Sequence, residues 1–164
     1  MKNLSNKEAV EKLRDLATDI DFAILSTNLG QAKFDATPMS TKKVDDEGNI
    51  WFLSGKKSNH YNYIKEDNKV ALMYSKPGNM SFMNVFGKAE IVSEQSVISE
   101  LYGTGDDMWF DGENDPNICA LKITPDEAEY WEPKQNKLIS FFKFGIATIK
   151  GEQPDLSQHG HITV

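Results

Sequence analysis

Residues 31–60 read QAKFDATPMSTKKVDDEGNIWFLSGKKSNH, and the order of signals in this stretch decides the fold. An extended segment, Ala32 to Val44, runs into the acidic turn Asp45-Asp46-Glu47-Gly48-Asn49, and a second extended segment, Ile50-Trp51-Phe52-Leu53-Ser54, follows at once. Aspartates followed by glycine between two such segments mark a hairpin, since Asp bonds its own backbone and Gly accepts positive φ. Ser58-Asn59-His60-Tyr61-Asn62-Tyr63-Ile64 then suits a short helix whose first free N–H groups the Ser58 hydroxyl can cap. Pro38 lacks a ladder N–H, which predicts an edge or locally irregular strand around it. A strand, turn, strand, helix unit of this kind can hold a phosphate at the helix N-terminus while the strands offer backbone groups to a flat ring.

Working outward, Ser5 and Glu8 have the spacing of a capping box. Apolar residues recur at Ala9, Val10, Leu13, Leu16, Ala17 and Ile20, which predicts a helix lying on the core by one face. Phe22–Thr27 and Lys69–Tyr74 read as strands, Met80–Val92 as a long strand, and Glu94–Tyr102 as a second helix. Gly103 to Asn117 reads as a Gly- and Asp-rich loop carrying Trp109 and Phe110. Three further strands are expected at Ile118–Ile123, Ala128–Trp131 and Leu138–Thr148, with turns at Pro125 and Pro133 and an extended tail over 151–164. About eight short strands with few helices argue for a mainly β barrel or sandwich.

The 164 residues are expected to form one domain with one core. Cys119 is the single cysteine and reads as a buried hydrophobe, so neither a disulfide framework nor a Cys-rich zinc site is available. His159 and His161 stand two apart without a third ligand, and no metal site is assigned. The net charge of −7 opposes docking on nucleic acid. No apolar run approaches the ~18 residues of a membrane span, and the polar start MKNLSNKEAVEK is unlike a secretory signal, so a cytoplasmic location is expected. Charge is uneven: residues 31–65 hold six lysines (33, 42, 43, 56, 57 and 65) against four acids, a local balance of +2 in an acidic chain.

Six motifs in this order resemble the pyridoxamine 5′-phosphate oxidase-like superfamily with its FMN-binding split barrel, and within it the general stress proteins of bacteria. They are Phe22–Thr27; Thr37-Pro38-Met39-Ser40; Ile50–Ser54 with Ser58; Met108-Trp109-Phe110-Asp111-Gly112 before Asp115-Pro116; Ala128-Glu129-Tyr130-Trp131; and Gly151 to Leu156. The resemblance implies an antiparallel, Greek-key split barrel. It also implies a homodimer with FMN at the subunit interface, and a small-molecule electron donor or substrate. Carried over position by position, it places Thr37, Pro38, Met39, Lys42, Leu53, Ser54, Lys57, Ser58, His60, Trp109 and Trp131 around the cofactor. Thr37 stands where relatives commonly have arginine and His60 where they have lysine, which replaces two fixed cations by a neutral hydroxyl and a group titrating near pH 6.5. No side chain stands out as a general acid or base.

The expected function is therefore FMN-dependent oxidation and reduction, or, alternatively, flavin binding or redox sensing without efficient turnover. Pyridoxamine phosphate oxidation itself is not expected, because Gly145 to Val164 lacks the basic, substrate-phosphate-binding segment of that enzyme.

Overall fold

The chain enters its sheet through α1 (Asn6–Ile20), which follows the two-residue strand β1 (Leu4–Ser5). A computed structural model describes residues 4–133 and 157–163. The apolar stripe of α1 does what its period predicts: Ala9, Leu13, Leu16 and Ala17 are buried in the main core. Arg14 on the same helix donates to the carbonyls of Val44 and Asp45, at 3.2 and 2.8 Å, and so holds the hairpin turn against the helix.

The strands that follow are β2 (Phe22–Thr27), β3 (Asp35–Ser40), β4 (Lys43–Val44) and β5 (Ile50–Gly55). After α2 (Asn59–Glu66) come β6 (Lys69–Lys76) and β7 (Ser81–Val92). The chain continues through α3 (Gln95–Leu101), β8 (Ile118–Pro133) and β9 (Ser157–Thr163). Among the described residues every strand pair is antiparallel except β1 with β9.

The hydrogen-bonded order runs β3, β2, β6, β7, β8, and β8 also pairs with β5, which pairs with β4. β3 and β4 are one segment bent at Thr41 and Lys42, whose N–H groups donate to Asp21 O at 2.9 Å and to Trp51 O at 2.8 Å. The path of pairs therefore returns to the segment on which it began. The sheet curls into a split barrel with its corner at that bend, as strands do when they switch partners. Pro38 lies in β3, at the end of the hydrogen-bonded path, as its missing N–H predicted.

Period-2 alternation sorts the side chains. Leu25, Ile50, Phe52, Met83, Leu121 and Tyr130 fill the barrel, while Leu53, Ile118 and Ala120 point outward beneath Ile98 and Leu101 of α3. Cys119 is fully buried, and burial pushes its thiol up to about 11, the behaviour of an inert core residue.

The helix starts at Asn6, directly after Ser5, where the capping-box spacing puts it, and Ser5 also ends β1. Two sequence expectations change. The two strands expected on either side of Pro125 are one continuous strand, β8, because the register with β7 shifts between Phe86 and Gly87 and Pro125 is accommodated at that irregularity. Residues 157–163 of the tail join the sheet as β9, between β8 and β1. The strand expected at 138–148 lies outside the described residues.

Candidate functional site at the β5–α2 junction

β5 has β8 along its whole length on one side, but on the other it meets β4 only at Ile50 and Trp51. Among the described residues no strand covers the edge from Phe52 to Gly55. That edge leads through Lys56 and Lys57 into α2. Ser58 caps the helix, its hydroxyl accepting the N–H of Tyr61 at 3.2 Å. Helix geometry gives the N–H groups of Asn59 and His60 no partner within α2, so the helix presents donors and the positive end of its dipole beside an open strand edge.

Inside this junction, Ser54 Oγ and His60 Nε2 share a hydrogen bond of 2.6 Å, and both side chains are buried. Burial lowers the pKa of His60, while the nearby Asp35 carboxylate raises it to a smaller extent. Asp35 in turn accepts from the Thr37 hydroxyl at 3.1 Å. Opposite Asp35 in the β2–β3 register is Thr27, and the hydroxyls of Thr27 and its neighbour Ser26 are buried with no hydrogen-bond partner among the described residues.

The structure brings Leu53, Ser54, Lys57, Ser58 and His60 together at the junction, though by different atoms. Leu53 turns its side chain into the α3 cluster, so only its backbone is on offer there. His60 is turned inward to Ser54. From the bent segment, Met39 is part of the core, Thr37 is half-buried and Pro38 is exposed on the outer surface. Lys42 donates to Asp106 Oδ2 at 2.6 Å.

Trp109 is 77% exposed, three residues after Asp106. Trp131 is half-buried on β8 across from Phe82. It lies twelve residues along β8 from Cys119, the residue paired with Ser54, and beyond the register shift opposite Gly87.

Sequence reading missed Asp35, which sets the field at His60, and Asp106, which holds Lys42. The signal for the second was the contrast between a lysine-rich hairpin and the acidic 103–117 loop, two blocks of opposite charge far apart in sequence.

The architecture is a split β-barrel with an open strand edge that feeds a capped helix start. The sequence model of the family described as pyridoxamine 5′-phosphate oxidase like matches residues 8–155, and the chain belongs to that family. No curated protein matches it.

Among solved structures, a candidate general stress protein 26 from a Jannaschia species superposes with a TM-score of 0.77 at 23% identity, over 96% of this chain and 99% of that one. A general stress FMN/FAD binding protein from Xanthomonas citri gives 0.67 at 22% identity, over 79% and 92%. A Clostridium acetobutylicum protein related to general stress protein 26 gives 0.66 at 18% identity, over 77% and 89%. At these identities the superpositions speak to the fold, and they agree on a split barrel.

Proposed function

We propose that this protein binds FMN at the β5–α2 junction, as a homodimer, and serves as a cytoplasmic flavin-dependent oxidoreductase. The observation that carries the reading is the uncovered β5 edge running into the helix start, where Lys57, Ser58 and two free backbone donors suit a phosphate. The open edge from Phe52 to Gly55 suits the polar rim of a flat ring, and the half-buried Thr37 hydroxyl suits the chain between ring and phosphate, whereas the Ser54 hydroxyl is taken up by His60. Family membership and the flavin-binding description of the Xanthomonas neighbour point the same way. Bound flavin supplies the electron chemistry, and the protein supplies binding and orientation.

The separation of Trp131 from the residue paired with Ser54 by most of the length of β8 suits a second copy as the source of the aromatic beside the ring. So does the outer barrel face: Ile24 lies between Pro38 and Met73 in the strand register, with Phe22 beside them, and all four are exposed. Apolar rows of this kind mark interaction surfaces.

FMN titration of the purified protein, followed by visible absorbance, tests the reading. A protein that is colourless and leaves the absorbance of added FMN unchanged overturns it.

One observation favours a second reading, a flavin-binding or redox-sensing module without efficient turnover. His60 is buried against Ser54 and Lys42 is paired with Asp106, so neither is turned toward a substrate. Fast reduction of the bound flavin by NADH or NADPH counts against that reading.

A further inference from the structure

Three lysines of the basic hairpin region are bound to a single loop. Lys42 Nζ donates to Asp106 at 2.6 Å. Lys56 Nζ donates to the Pro116 carbonyl at 3.1 Å, and the Lys56 backbone N–H to the Asn117 carbonyl at 2.7 Å. The Lys57 N–H donates to Asn117 Oδ1 at 3.1 Å. All of these acceptors lie within Gly103–Asn117, which holds five carboxylates and no basic residue. Asp115 in this loop is held below its ordinary pKa, first by the N–H groups of Asn117 and Asp111 and then by the charges of Lys57 and Lys56. Gly55 allows the approach, since a Cβ there would meet Asn117 Nδ2 at 2.9 Å.

The loop is thus the counter-ion of the lysine surface. The Lys42–Asp106 pair is largely buried, with side chains 20% and 13% exposed, so salt screens it less than a surface pair. An arriving phosphate carries about −1.5 to −2 charges at neutral pH and meets those carboxylates as well as the lysines. The part of the loop holding Asp106 has little apolar anchorage: Met108 and Trp109 are 81% and 77% exposed, and the first inward aromatic is Phe110, packed on the α3 cluster.

We propose that the acidic loop Gly103–Asn117 is a built-in competitor for anionic ligands at this site, and that an anionic flavin phosphate settling at Lys57 and Ser58 draws Lys42 away from Asp106. This rests on the FMN reading above. The turn from Gly103 to Trp109 lifts as the ligand enters, while Phe110 stays seated.

The test compares FMN titrations of the wild type and Asp106→Asn, which keeps an acceptor for the Gly103 N–H now bonded to Asp106 at 2.8 Å. Competition predicts a Kd about three- to tenfold lower for the variant, and faster hydrogen exchange over residues 103–109 of the wild type once FMN is bound. Equal or weaker FMN binding by a folded variant, or unchanged exchange in the FMN-bound wild type, overturns the competitor role and leaves the FMN site standing.

If neither protein takes up FMN, the FMN reading falls, and sodium pyrophosphate becomes the probe. Faster exchange over 103–109 at a lower pyrophosphate concentration in Asp106→Asn supports a competitor for anions in general. The same or no response in both proteins overturns it.

Discussion

His60 Nε2 and Ser54 Oγ lie 2.6 Å apart, and this buried contact fastens the first turn of α2 to the end of β5. A helix start is useful as an anion site only if it keeps a fixed angle to the strand beside it. Here that short hydrogen bond and the turn bond from Ser58 N–H to the Gly55 carbonyl at 3.0 Å hold the angle, and the capping bond from Tyr61 N–H to Ser58 Oγ sets the helix boundary.

The pair makes stability depend on pH. Burial holds the folded pKa of His60 below its ordinary 6.5, so the unfolded chain takes up this proton first as the pH falls. The contribution of His60 is fully present above pH 6.5 and is lost as the pH drops through the depressed folded value. Urea midpoints measured across this window are expected to fall for the wild type and to stay flatter for His60→Gln. Parallel pH profiles for the two proteins would show that this ring does not carry the linkage.

Asp45 organises the hairpin turn. Its carboxylate accepts from Trp51 Nε1 at 2.9 Å, from the Asn49 N–H at 2.8 Å and from the Glu47 N–H at 3.1 Å. Burial pushes its pKa up, but the hydrogen bonds from Trp51, Asn49 and Glu47 together outweigh this and leave it lowered. Gly48, at φ 86°, turns the chain as only glycine does easily. Asp45→Ala is expected to destabilise the fold by about 1–3 kcal/mol in urea denaturation, since it strands a half-buried indole N–H and two backbone donors.

Gly87 stands at the register shift between β7 and β8. A Cβ at this position would run into the Thr124 carbonyl oxygen and reach Pro125 Cα at 3.0 Å. Gly87→Ala is therefore expected to destabilise the protein by about 1–3 kcal/mol or to shift the strand pairing. Thermal melting checks the first outcome. An unchanged Tm would mean that the strands separate there without cost.

Ile24 is the centre of the exposed apolar row on the outer barrel face. Ile24→Glu places a charge there without touching the core, so the monomer is expected to stay folded while the proposed dimer dissociates, as read by sedimentation equilibrium. FMN affinity is expected to fall at least tenfold with it if a partner copy supplies Trp131 to the junction as proposed; a monomeric variant with unaltered affinity would remove the dimer from the site.

Much of the fold was legible because local rules agreed with one another. The stripe from Ala9 to Ala17, the Asp-rich turn closed by Gly48 and the cap at Ser58 each rest on contacts within a few residues, and each appears where the sequence placed it. The misreading at Pro125 had a physical cause as well. Proline is a turn signal in isolation, but here the neighbouring strand offers Gly87, and the irregularity this permits lets β8 continue to Pro133.

What the sequence determined by itself was the alternation of inward and outward residues, the hairpin and the helix start, since periodicity and turn chemistry are local properties. Only the tertiary structure decided which partners the polar groups take. His60 turned inward to Ser54, and Lys42 went to an aspartate 64 residues away. The reason is that ion pairs and buried hydrogen bonds depend on which surfaces the barrel brings into contact, and no spacing along the chain encodes that.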